Sequence, residues 1–215
     1  MGAKTWMLVY SEGNPVEILK SNTVMDQAAT RAFAQRLFPS EKITYAGEGN
    51  LSYTRPDDDE LIVGCFAGLK IIAAAEFGID FPSKLDSRFV EACPGHDVYL
   101  HVMHSVVDFF GYAVWKDGQL QRSLSLSPDS GIMDYIGDKL SFEEPYWNGE
   151  YPALDPEEEE DDYPFPFHPL EMGNAALVAL FGYQLEGFVD PAHLEPEEIP
   201  LLRFKRKKLW WRFGY

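Results

Sequence analysis

Four polar residues interrupt the otherwise apolar run 97–115: His101, His104, Ser105 and Asp108. Two imidazoles and a carboxylate can hold zinc and leave a position open for water. His101, His104 and Asp108 are therefore candidate ligands for a divalent metal, and a metal-assisted hydrolase is the chemistry they would support. His104, Ser105 and Asp108 are also the residue types of a nucleophilic triad, although no G-x-S-x-G elbow surrounds Ser105. The plainer alternative is structural, with the histidines hydrogen-bonded around a bend.

Which reading applies depends on the backbone beneath these residues. On a helix the i, i+3, i+4, i+7 spacing puts all four on one stripe. On a continuous strand His101 and His104 point to opposite faces. The run is rich in Val, Tyr and Phe, so a strand is expected. It is too long for one ordinary strand, and a break is placed at 104–108, where irregular backbone would bring His104, Ser105 and Asp108 together.

Beyond the run, Asp117-Gly118 separates two alternating stretches and predicts a hairpin closed by a two-residue turn. A regular register pairs Trp115 with Leu120, Ala113 with Arg122 and Gly111 with Leu124 on a core face. The serines 123 and 125 then fall on the other face. Arg122 is the odd residue, since a guanidinium cannot shed its proton. It is expected to run its stem along apolar surface with its head in water, or else to clamp a buried anion.

The remaining elements frame this centre. Residues 4–10 read as a strand apolar enough on both faces to lie inside a sheet. Pro15 after Asn14 starts a helix, and a longer one follows, opened by Thr23 and stopped by Pro39, with Met25, Ala29, Phe33 and Leu37 inward. A short strand at 43–46 with a turn at Gly47-Glu48-Gly49, a second hairpin around Ala67-Gly68 for whose alanine-bearing second half a helix competes, and a helix opened by Ser83 with Asp86, with Leu85, Phe89 and Cys93 inward, come next. In 128–152 the aromatic residues, Tyr146 and Trp147 among them, either cap the core or line a pocket. Pro169 begins a helix that Gly182 ends, docked by Leu177, Leu180 and Phe181.

Charge is distributed unevenly over the 215 residues, whose net charge is −17. The last thirteen hold six Lys or Arg and no acid, which leaves twelve basic against 35 acidic residues, a net of −23, in 1–202. Such a body repels nucleic acid and anionic membrane. The tail, with Arg203, Lys205, Arg206, Lys207 and Lys208 beside Trp210 and Trp211, suits RNA, single strands or an anionic surface; the alternative is docking on the protein's own acidic run, 155–162, in a mobile loop at about 153–163. Cys65 and Cys93 read as core thiols. The N-terminus lacks a secretory design and a complete myristoylation pattern, and no run is long enough to span a membrane, so a cytoplasmic location is expected.

The phrases LHVMHSVVDFFGYAVWKDG, RSLSLSPDSGI, PYWNGEYP and FHPLEMGNAALVALFGYQLEG resemble an uncharacterised family of bacterial proteins of similar length. The resemblance extends to about Gly187 and implies no activity or site residue.

The expectation is an α+β domain over 1–187, a mainly antiparallel sheet with about three helices packed largely on one side, followed by a C-terminal appendage at 188–215. The functional expectation is a non-catalytic binding protein whose acidic body meets a basic protein partner, with Arg122, Tyr146, Trp147 and the tail bases as binding residues. The alternatives are the metal-assisted hydrolase and a nucleic-acid or membrane-surface adaptor working through 203–213.

Overall fold

Runs of β-branched and aromatic residues broken by tight turns build nine strands: β1 (Lys4–Ser11), β2 (Glu41–Asn50), β3 (Glu60–Phe66), β4 (Leu69–Ala73), β5 (Asp97–His104), β6 (Phe109–Lys116), β7 (Gln119–Ser127), β8 (Gly131–Ile136) and β9 (Pro200–Lys208). The computed structural model describes residues 4–21, 24–153, 163–187 and 190–208. The strands form one open sheet in the order β2-β9-β3-β4-β1-β5-β6-β7-β8, with every neighbouring pair antiparallel. Five helices accompany them: α1 (Pro15–Lys20), α2 (Gln27–Leu37), α3 (Ser87–Val90), α4 (Glu144–Trp147) and α5 (Pro169–Phe181).

The helices cover both faces of the sheet, not one as expected. Interior strands β5 and β6 are buried along almost their whole length, so neither face can be left to water. Met7, Met103, Phe110, Tyr112 and Leu124 pack under α1, α5 and the aromatic segment 142–147. Leu8, Leu100, Val102, Ala113 and Trp115 pack under α2, α3 and the 3-10 turns Ala75–Phe77 and Pro82–Lys84.

Local signals fix most of the element ends. Asn14 caps α1 by accepting from Val16 and Glu17 N–H, with Pro15 at the first helical position. Asp26 caps α2, accepting from Ala29 N–H at 2.9 Å; Thr23, the expected cap, lies outside the described residues. The buried stripe of α2 is Thr30, Phe33, Ala34 and Leu37, and Ala29 is exposed. Thr30 Oγ1 accepts from Cys65 N–H at 3.0 Å, which ties the helix to β3. The helix expected from Ser83 onward is a 3-10 turn followed by α3, capped by Asp86, though Leu85, Phe89 and Cys93 are buried as anticipated.

Two departures matter for the site. The stretch assigned to an appendage supplies β9, inserted between β2 and β3 with Leu201, Leu202 and Phe204 buried. Its bases obscure an alternation that is nonetheless there. Strand β2 likewise runs on to Asn50 through a bulge at Ala46, past the turn expected at Gly47. At the Asp117-Gly118 turn both residues have positive φ, 50° and 73°, as the turn type requires. Trp115 faces Leu120 as expected, but a bulge at Gln121 then pairs Val114 with Arg122 and Tyr112 with Leu124. One extra residue exchanges the face of everything beyond it.

A buried clamp and a groove beside the last long helix

The bulge places Arg122 under the aromatic segment, where it is 1% exposed. The expected exposed guanidinium is thus replaced by the second option, a clamp on an anion. Arg122 Nε donates to Glu143 Oε1 at 2.9 Å and Nη2 to Oε2 at 2.6 Å, a bidentate pair. Arg122 Nη1 donates to the carbonyls of Ile136 and Gly137. Its planar face lies 4.3 Å from the centre of the Tyr135 ring.

Glu143 is fully buried and accepts three further hydrogen bonds, from Tyr112 Oη, from Leu140 N–H at 2.8 Å and from Trp147 Nε1 at 3.2 Å. Both oxygens are therefore saturated by the fold. Burial, then the Glu143 charge, pushes the Tyr112 hydroxyl far above its ordinary pKa, so it remains a donor. Burial opposes the Arg122 charge, but the bonds to Glu143 outweigh it and raise its pKa. Chemically the cluster is a latch that fastens 137–147 to the sheet. Trp147, a candidate binding residue, is one of its braces.

His101 and His104 lie on β5 three residues apart and so face opposite ways, which separates the proposed ligands. His101 is fully buried beneath α5, with Nδ1 2.6 Å from Thr5 Oγ1 and Nε2 3.0 Å from the Gly173 carbonyl. That carbonyl can only accept, so Nε2 carries the proton and Nδ1 accepts from Thr5. Burial pulls the His101 pKa down to about 4. The position expected to hold a bend, 104–108, holds the reversal between β5 and β6. Ser105 sits in it, and Asp108 has φ 45° and lies 3.8 Å from His168 Nε2. Asp108 thus turns toward the N-terminus of α5, away from His104, whose Cα pairs with Lys4 and Phe109. Among the described residues no group of three His, Cys, Asp or Glu side chains is arranged to hold a metal ion.

Ser123 and Ser125, expected on the face opposite the core face, are buried and used. Ser123 Oγ donates to Asp134 at 2.7 Å and Ser125 Oγ to the Asp80 carbonyl at 2.6 Å.

An open groove of about 810 Å³ runs along the outer side of α5, lined by Tyr146, Tyr151, His168, Glu171, Asn174 and Glu186 among others. Its wall is preorganised. Tyr146 Oη donates to the Glu171 carbonyl, its ring meets Tyr151 with centroids 5.0 Å apart, and Asn174 Oδ1 accepts from Leu185 and Glu186 N–H. Burial, and then the charge of Glu171, raises the Tyr146 pKa to about 12. Tyr146 was legible in the sequence as an aromatic in an irregular loop; Glu171 and Asn174 were not, because their common face with Tyr146 exists only once the latch has closed.

Three of the bases of β9 are paired within the fold. Arg203 and Lys205 reach Glu60, Lys205 also reaches Asp59, and Arg206 reaches Glu76 at 2.6 Å and the Asp58 carbonyl. The acids they meet lie in the polar loop before β3, at the first residue of β3 and in the 3-10 turn Ala75–Phe77. Lys207 and Lys208 face Lys42 and Glu41 in the register. The acidic run 155–162 and Trp210 and Trp211 lie outside the described residues. No helix among the described residues is long and apolar enough to cross a membrane.

A family model described as a family of unknown function, DUF6928, matches residues 5–204. No curated protein and no solved structure matches the chain.

Proposed function

The chain belongs to this family, and on the geometry above we propose that it is a non-catalytic binding protein whose groove beside α5 receives a basic segment of a protein partner. The observation that carries this reading is the composition of the groove, two adjoining tyrosine rings in a lining that also includes the acidic residue Glu171. Aromatic faces and carboxylates together suit a lysine or arginine side chain, which is drawn both to the ring quadrupole and to the negative charge. The acidic run 155–162 joins the chain between Tyr151 and His168, two residues of the groove wall, and so adds seven acids next to it in sequence. A net charge of −17 steers a basic partner toward such a site.

The test is titration of a fluorescent lysine- and arginine-rich peptide against the wild type and against Glu171→Lys and Tyr146→Ala variants. Wild-type binding should weaken as salt rises, and Glu171→Lys should weaken it about ten-fold or more. Equal affinity in all three proteins would remove the groove from the interaction.

A further inference from the structure

The opposite face of the sheet carries a second feature, of the other sign. Lys4 on β1 stands directly across from His104 on β5, so their side chains share a face. Trp6, two residues along, is on that face too and packs against the core that contains Leu8 and Leu100. The Arg55 guanidinium lies 4.4 Å from the centre of the Trp6 ring. Three basic side chains thereby meet at one end of one face in a strongly acidic protein.

Their pairing within the fold is thin. The carboxylate nearest to Arg55 is that of Asp57, 3.9 Å away and largely exposed, and among the described residues Lys4 makes no ion pair. His104 Nδ1 and Arg55 Nε are buried atoms that find no hydrogen-bond partner among the described residues. Buried polar nitrogens left in this way are rare and costly, and two of them beside a lysine call for a common acceptor.

We infer that Lys4, Arg55 and His104 form an anion site for a phosphate-type oxyanion. A tetrahedral oxyanion has acceptors enough for an ammonium, a guanidinium edge and an imidazole N–H together, and it neutralises all three. The Trp6 ring fixes the plane of the guanidinium. Burial, then the charges of Lys4 and Arg55, hold the His104 pKa below its ordinary value. Lys4 on β1 and Arg55 before β3 are the charged groups facing His104, and Phe109 faces it from β6. A bound anion reverses that balance and favours the protonated ring.

The site rests on different residues from the groove, and its test is independent of it. Histidine imidazole resonances would be followed by NMR during titration with inorganic phosphate at constant ionic strength, with the His104 signal assigned by its loss in His104→Gln. The expected result is a saturable shift of that signal and a His104 pKa higher by roughly one unit in phosphate than in chloride. Lys4→Gln and Arg55→Gln should each weaken the response about ten-fold. Lys116→Gln, at the far end of β6, should leave it unchanged. Lys4 lies at the margin of the fold, so its variant remains informative even if loss of the Arg55 stack disturbs folding. A shift that never saturates, or one that survives in Lys4→Gln, overturns the site. An equal response to acetate overturns the assignment to a phosphate-type group.

Discussion

Glu143 shows how much one side chain can hold when every lone pair is used. Replacing it with Gln leaves Arg122 charged and buried against an amide that can no longer accept bidentately. The expected loss is about 3–5 kcal/mol of unfolding free energy, read from urea denaturation. A double Arg122→Met, Glu143→Leu variant should lose less than the single one, because no unpaired charge remains inside. A double variant weaker than the single would mean that the latch itself, and not the orphaned charge, carries the stability. His101 makes the second prediction at this scale. Its folded pKa, about 4, lies below the unfolded value near 6.5, so the unfolded chain binds the extra proton first. Its contribution is fully present above pH 6.5 and is lost as pH falls toward 4. Denaturation should show about 2 kcal/mol lost between pH 7 and pH 5 from this group, estimated from the width of that window. A His101→Gln variant, less stable at pH 7, should show a correspondingly smaller pH dependence; identical slopes would place the titration elsewhere.

Elements, more than residues, decided what could be read from the sequence. The Asp117-Gly118 and Ala67-Gly68 hairpins, α5 with Pro169 at its start and Gly182 as its C-cap, and the interior position of β1 were all legible, because each is set by local turn, cap or burial chemistry. The bulge at Gln121 was not, since a single extra residue in an alternating run leaves no composition signal. That one residue separates an Arg122 head in water from an Arg122 bound to Glu143. The separation of His101 from His104 followed from strand geometry already stated, whereas the approach of Asp108 to His168 depended on where α5 docks. Strand β9 was hidden by its own charges. Ending the chain after Leu202 should abolish the cooperative thermal transition, because β2 then loses its pairing strand, whereas ending it after Lys208 should preserve it. Circular dichroism melts of the two truncations distinguish an interior strand from a dispensable one. The close approach of α5 gives a further element-scale prediction. A Cβ at Gly173 would stand 2.8 Å from Met103 Sδ and 3.2 Å from Phe110 Cδ2. Gly173→Ala should therefore cost about 1–3 kcal/mol by overpacking, despite the better helix propensity of alanine.

Across the whole molecule two electrostatic effects oppose each other. The net charge of −17 repels itself, and salt relieves that repulsion. The ion pairs of β9 attract, and Arg206, 7% exposed, is sheltered from screening. The thermal midpoint should accordingly rise as sodium chloride is added at low ionic strength. A fall would mean that the β9 pairs outweigh the general repulsion. The place of β9 also bears on the order in which the molecule can be made. During synthesis β3 emerges about 140 residues ahead of the strand that will lie against it, and β2 has no other partner in the sheet. Until residue 208 is free of the ribosome, the edge of β3 stands bare and β2 waits unzipped. The nascent chain passes through a stage in which an exposed strand can recruit the wrong neighbour. The acids that β9 will meet, Glu41, Asp59, Glu60 and Glu76, have all been synthesised by then, and their negative charge draws in the basic strand.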